Sequence, residues 1–137
     1  MELSDEERAV QETVPRFAEE VMRPAGAELD AMADPQDVIA EGSVLWEVFE
    51  KHRALGLDEV TAPDGDLTPR QQARLRCIIG EEQGWGDSGL AIGFGVAGFP
   101  RMMAQMSGKP ELIVRFGAAD CIGCWAGTEP DHGSDII

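Results

Sequence analysis

Two helix starts are written into this chain in one four-residue form, Ser4-x-x-Glu7 and Thr68-x-x-Gln71. In such a capping box each side chain accepts the backbone N–H that the other residue cannot satisfy within the helix. Pro69 strengthens the second start, because the first helical position needs no N–H donor. After the first box, Val10, Val14, Phe17 and Val21 recur at helical spacing with charged residues between them. This is the pattern of an amphipathic helix with one buried stripe. A chain punctuated this way buries helix against helix, so the expectation is a mainly α domain.

The remaining helices follow from similar signals. Pro15 falls inside the first helix, where it removes a donor and predicts a kink. Pro24 is expected to stop that helix, because the residue before proline is driven out of the helical region. A short helix over Ala25 to Met32 and a turn at Asp34-Pro35-Gln36-Asp37 come next. The spacing then predicts a helix over Ser43 to Leu55, with Leu45, Trp46, Phe49 and Leu55 on one face and Gly56 as its stop. His52 lies beside that face and reads as a hydrogen-bonded core or boundary residue. Ala62-Pro63-Asp64-Gly65-Asp66 is loop by composition. The helix opened by Thr68 should carry Leu75, Ile78 and Ile79 inward as far as Glu82, with Gly84, Gly86 and Asp87 ending it.

From Ser88 to Met106 small and apolar residues cover every side, which predicts a central helix buried all round. Glycines at 89, 93, 95 and 98 each weaken helix propensity by about 1 kcal/mol relative to alanine. Either close backbone packing or space for a ligand must offset that. Pro110 opens a last short helix through Leu112, Ile113, Val114 and Phe116, closed by Gly117. The sum is about six helices followed by a single strand, Cys121 to Gly127.

Charge and composition exclude several functions. With 26 acidic against 11 basic residues the formal charge is −15, which repels phosphate backbones and anionic lipid. Nucleic acid and membrane are therefore not expected partners. Pro100, Arg101 and Gln105 interrupt the glycine-rich run, so it does not read as a membrane span. The acidic N-terminus is unlike a secretory or transit peptide, and the expected location is cytoplasmic. Three cysteines make no disulfide framework, and Cys121-x-x-Cys124 lacks a second ligand pair at zinc spacing. No metal is expected.

The chain changes character at Cys124-Trp125-Ala126-Gly127-Thr128-Glu129-Pro130-Asp131-His132-Gly133-Ser134-Asp135. Hydroxyls, a glycine that lets backbone approach a ligand, and adjacent N–H groups could form an anion nest for a phosphate or a polar heterocycle. A surface turn draws on the same residue types, and chemistry alone leaves the two readings even. The Ser134–His132 pair lacks evidence of a third group to orient a base, so a nucleophile is not indicated.

Trp125-Ala126-Gly127-Thr128-Glu129-Pro130 through Gly133-Ser134-Asp135 resembles the flavin-contacting T-E-P-x-x-G-S-D signature of acyl-CoA dehydrogenases. Leu3-Ser4-Asp5-Glu6-Glu7 with Phe17-Ala18-Glu19-Glu20-Val21 and Arg23-Pro24 resembles that family's opening helix. Gly86-Asp87-Ser88-Gly89-Leu90-Ala91 resembles the start of its central helix. The resemblance implies an N-terminal orthogonal helical bundle over 1–119 and the beginning of a middle β-domain over 120–137. It implies FAD as cofactor, with Trp125 packing on the isoalloxazine, Thr128 bonding its polar edge, and Gly133 with Ser134 meeting the pyrophosphate. It also implies acyl-CoA as substrate, with Gly95, Phe99 and Ser134 on the substrate side and room beside the glycine-rich helix for an unusual acyl group.

The resemblance covers only about the first third of a family member, without the glutamate that removes the α-proton. The chain is accordingly expected to be the N-terminal portion or a split subunit of an FAD-dependent dehydrogenase of lipid metabolism, not active alone. A complementary dehydrogenase chain, or a homo- or hetero-oligomer, is the expected partner. The alternative is a non-catalytic helical assembly or binding module derived from that family.

Overall fold

Both predicted helix starts form. Ser4 Oγ accepts the N–H of Glu7 while Glu7 Oε2 accepts the N–H of Ser4 at 2.7 Å, and Thr68 and Gln71 repeat the exchange. The computed structural model describes residues 3–57, 67–116, 122, 123 and 130. Its helices are α1 (Asp5–Phe17), a π-helical segment (Ala18–Met22), α2 (Arg23–Asp30), α3 (Pro35–Val38), α4 (Val44–Ala54), α5 (Pro69–Gly86), α6 (Ser88–Ala97), α7 (Phe99–Ser107) and α8 (Pro110–Phe116). Among the described residues there is no strand. The mainly helical class stands. The expected strand over 121–127 lies outside the described residues except for Ile122 and Gly123, neither of which is in a strand.

The chain divides into two compact units, residues 1–92 and 93–137. In the first, α1 and the π-helical segment pack on α5, and α2 packs on α4. Val10 and Val14 of α1, Leu57 and Leu75 form one core cluster, with Leu55, Leu67, Ile78 and Ile79 packed around it. Met22, Leu75, Val14 and Val48 are fully buried, each stabilising the fold by about 1.5–3 kcal/mol relative to exposure. The stripe predicted from Val10, Val14 and Phe17 is therefore the core face, but it continues through Ala18 and Met22, with Val21 only half-buried.

Pro24 does not stop the first helix. Its ring would strike the carbonyl four residues back in regular α geometry. The chain instead widens into the π-helical segment, in which the Arg23 N–H reaches the Ala18 carbonyl five residues earlier. Pro24 then sits in the first turn of α2, and the helical run continues from Asp5 to Asp30. Pro15 is likewise carried within α1.

Three other expectations are corrected. Asp34–Asp37 is more than a turn, because Asp34 caps a single helical turn by accepting the Gln36 N–H at 2.9 Å. On α4 the buried face is Val48, Phe49 and His52. Trp46 lies one position off that face and is 37% exposed, its indole N–H donating to the Ala40 carbonyl at 2.9 Å. Gly56 does stop that stretch, at φ +65°. Helix α5 runs through Gly84 to Gly86, four residues beyond the expected end. The loop at 62–66 lies outside the described residues.

The predicted central helix is two helices. Gly98 separates α6 from α7, and Pro100 occupies the second position of α7, where its missing N–H is harmless. Nor is it buried on all sides: Leu90 is the buried residue of α6, and Ile92 is 68% exposed. In the second unit α7 packs on α8, and Gly108 at φ +63° ends α7 in the left-handed conformation glycine adopts freely. No helix of the described residues is long and apolar enough to cross a membrane.

Gly86 faces Ala18 so closely that an added Cβ would lie 2.9 Å from the Ala18 Cβ and 3.2 Å from the Met22 Cβ. A Cβ at Gly80, on the same helix, would meet nothing within 4 Å. Gly86→Ala is therefore expected to lower stability by about 1–3 kcal/mol through overpacking. Gly80→Ala should raise it by about 0.5–1 kcal/mol through helix propensity. Urea midpoints of the two variants test this, and the same sign for both would contradict the packing described.

Candidate functional site

Asp87 joins α5 to α6 and serves both. Its N–H closes α5 on the Gln83 carbonyl at 2.9 Å, and its carbonyl accepts the Ala91 N–H at 3.0 Å. Its Oδ1 accepts the Leu90 N–H at 2.7 Å, capping α6. The carboxylate also lies against α2, because a Cβ at Gly26 would collide with Asp87 Oδ2. Spacing alone reads Gly86-Asp87 as a helix end, whereas the family resemblance of Gly86 to Ala91 already implies a helix start here, without naming Asp87 as its cap. The signal was present in Asp87-Ser88-Gly89-Leu90, an acidic residue three places before an apolar one at a helix start.

Helix α6 ends at the corner where two of the expected substrate residues sit. Gly95 is exposed, and a Cβ there would meet nothing within 4 Å. Gly98 follows one turn later, and a Cβ on it would lie 3.9 Å from the Gly95 carbonyl oxygen. Phe99 opens α7 and is half-buried. Gly123 reaches the same corner, its N–H donating to the Ala97 carbonyl at 3.2 Å. Its α-carbon sits against Pro100, and an added Cβ would collide with the ring. The structure thus brings Gly123 to the α6–α7 corner, whose chain carries Gly95 and Phe99. Sequence reasoning did not single out Gly123. Trp125, Thr128, Gly133 and Ser134 lie outside the described residues, as do Cys121, Cys124 and His132.

His52 holds no exposed catalytic position. It is buried, its ring lies 6.0 Å from that of Phe17, and the Gln83 amide Nε2 stands 3.0 Å from its Nε2. An amide nitrogen can only donate, so His52 Nε2 accepts. This is the hydrogen-bonded core histidine the sequence suggested. No group of three or more potential metal ligands occurs among the described residues. An open groove of about 320 Å³ on the first unit is lined by Pro15, Glu19, Glu81, Glu82 and Trp85. The Arg23 guanidinium stacks 4.7 Å from the Trp85 ring and donates to the Trp85 carbonyl at 3.1 Å. The groove shares no residue with the α6–α7 corner.

The family model described as acyl-CoA dehydrogenase, N-terminal domain, matches residues 4–119. The chain belongs to the acyl-CoA dehydrogenase family. The match spans every helix from α1 to α8, so the helical part of the chain is the N-terminal domain of that oxidoreductase family. No solved structure matches the chain.

Within this acyl-CoA dehydrogenase domain, Asp87→Ala is expected to cost about 1 kcal/mol by removing the cap of α6. Asp87→Asn, whose amide oxygen can still accept the Leu90 N–H, should recover most of it. Thermal denaturation of the two variants is the measurement, and an equal loss in both would point to the carboxylate charge in place of the cap.

Proposed function

We propose that this chain supplies one helical wall of the acyl pocket and one flavin-contacting loop to an FAD-dependent dehydrogenase that introduces an α,β double bond into an acyl-CoA thioester. The observation that carries the reading is the docking of Gly123 on the α6–α7 corner, within a chain whose helices match the family's N-terminal domain. Gly123 stands two residues before Trp125 in the sequence. Gly123 is therefore held at the corner that carries Gly95 and Phe99, the two residues of the helical part expected to face substrate.

The donor set of the motif fits FAD. Trp125 offers a flat apolar face for the isoalloxazine, and the Thr128 hydroxyl suits its polar edge. Ser134 Oγ–H and the Gly133 N–H suit a pyrophosphate, where glycine permits close backbone approach. When bound, FAD supplies the acceptor for the hydride that leaves the acyl β-carbon. The residues of this chain bind and orient: Gly95 and Phe99 bound the acyl chain, and Ser134 serves both the cofactor and the thioester side. The α-proton is removed by a base supplied from outside residues 1–137, and residues 120–137 begin the β-domain that completes the flavin site. A complementary dehydrogenase chain or a further segment of an oligomeric enzyme provides it.

The test is assembly of the chain with such a complement. The complex should be yellow and oxidise acyl-CoA. Thr128→Val and Ser134→Ala should each weaken FAD retention by about five- to tenfold, the loss of one hydrogen bond. Full flavin occupancy in both variants at limiting FAD would remove the assigned roles. If no complement confers flavin binding, the helical domain acts instead as an assembly or binding module.

A further inference from the structure

We propose that the exposed side of α7, a strip of Met102, Met103 and Met106 bordered by Arg101 and Lys109, is a docking surface for an acidic amphipathic helix of a partner protein. The surface is made of described residues alone and does not depend on the dehydrogenase reading.

Helix α7 shows its apolar side to solvent. Ala104 is its buried residue, and the helix packs on α8. At about 100° per residue, Met102 and Met106 stand roughly 160° round the helix from Ala104, and Met103 roughly 100°. Met106 is 75% exposed, Met103 49% and Met102 42%. The three therefore form one strip turned away from the buried side. An amphipathic helix of a globular domain directs such a strip at the core, and apolar surface gathered on the outside instead marks a contact site. Methionine suits such a site, because its unbranched, polarisable side chain adapts to the shape of what it meets. Helix α8 adds Ile113 and Val114 to the exposed apolar side chains of the second unit.

Charge selects the partner. Residues 93–116 carry Arg101, Lys109 and Arg115 against one acid, Glu111, in a chain that holds 26 acidic against 11 basic residues. Arg101 and Lys109 are exposed, and among the described residues neither makes an ion pair. Arg101 lies about 100° round the helix from Met102, beside the strip, and Lys109 follows the Gly108 that ends α7. A partner helix that lays its apolar residues on the methionines directs its flanking carboxylates at these cations. At physiological salt, charges beyond about 8 Å are largely screened, so the sign close to the strip outweighs the acidity of the whole chain.

Other occupants fit less well. A second copy of α7 has no acidic residue and brings its own Arg101, so two such helices would set like charges together. The strip covers just over one turn, roughly 6 Å of helix axis, whereas a stable dimer takes about 800 Å² from each partner. One crossing helix, about 10–12 Å wide with its side chains, is enough to cover it. An anionic lipid surface is extended and meets the net charge of −15, where a single helix meets only the strip.

The test uses the full chain with carbon-13-labelled methionine methyls. It is titrated with a synthetic peptide of about 18 residues that carries leucines at three- and four-residue spacing with glutamates beside them. The methyl signals of Met102, Met103 and Met106 should shift together and saturate, while that of the fully buried Met22 stays in place. Measured by fluorescence anisotropy, Met102→Ser combined with Met106→Ser is expected to raise the dissociation constant about tenfold. Arg101→Glu combined with Lys109→Glu should raise it about tenfold as well. The same peptide with lysines for glutamates reports general attraction to the acidic chain, and Arg101→Glu with Lys109→Glu should not weaken its binding.

A glutamate peptide that does not bind at about 1 mM, or that binds and leaves the three methyl signals in place, overturns the proposal. Unchanged affinity in either pair of substitutions does the same. A shift of these signals on concentrating the chain alone would assign the strip to a second copy, and a shift with phosphatidylglycerol vesicles but not with the peptide would assign it to lipid; each result also overturns the proposal. The methyl titration needs no variant, so a substitution that fails to fold leaves the outcome decided.

Discussion

Helix α5 approaches the π-helical segment closely because Gly86 has no side chain where Ala18 and Met22 pass. That contact is an unusual one to build on. A π turn widens the helix and costs hydrogen-bond quality, but here it lets the chain pass Pro24 without breaking and turns Ala18 and Met22 fully inward. The glycine on α5 and the π register on the opposite helix are two halves of one arrangement. The widened turn presents small and flexible side chains to a backbone that can come close. Asp87 follows Gly86 directly, and Gly26, one residue past Ala25 on α2, leaves the space its carboxylate occupies. The start of α6 is thereby set by backbone approach more than by apolar bulk.

The other end of the α1–α5 interface is held differently. Glu7 is 1% exposed, yet it carries a carboxylate that burial alone would penalise heavily. Its Oε2 accepts from the Ser4 N–H at 2.7 Å and from Arg74 Nη1 at 3.2 Å. Oε1 lies 3.1 Å from the same Arg74 nitrogen as an ion pair, and among the described residues it accepts no hydrogen bond. Such a pair adds little over a well-packed apolar substitute, while losing one member leaves a buried charge, at a cost of about 3–5 kcal/mol. The pair ties the capping box of α1 to the side of α5. The capping box is thus a tertiary contact as well as a local one.

Much of this was legible in the sequence because it is local or periodic. The two capping boxes, the Val10–Val14–Phe17 stripe, Leu75 as a core residue, Gly56 as a stop and the buried hydrogen-bonded His52 all follow from spacing and side-chain chemistry. What was not legible depends on register between helices. Pro24 reads as a terminator unless the preceding turn is known to widen. Gly84 reads as a breaker unless packing against α1 carries α5 past it. Trp46 reads as core by size, but a shift of one residue turns it about 100° around the helix, and the Ala40 carbonyl then satisfies its indole. At the candidate site, Gly95 and Phe99 could be placed on their helices, whereas Gly123 could not be recognised. A single glycine signals a close approach without saying to what.

The acidity of the chain bears on what the corner can contribute. The ligands of the proposed function, FAD and CoA, both carry phosphates, and a chain of formal charge −15 repels them at long range. Attraction must then be short-range and directional, from N–H and hydroxyl donors in a place where backbone comes near the ligand. Glycine and small hydroxyl residues suit that requirement, and the chain has them at Gly133, Ser134 and Thr128. Exposed carboxylates do not, and the acidic groove formed by Glu19, Glu81 and Glu82 lies on the first unit. Its negative charge is set away in sequence from the corner, whose described residues Gly95, Ala97, Gly98, Phe99, Pro100 and Gly123 carry no charge at all. Under the proposed function, such an uncharged corner would offer shape and backbone donors to an anionic cofactor, and the neutralising cations would come from elsewhere in the assembled enzyme.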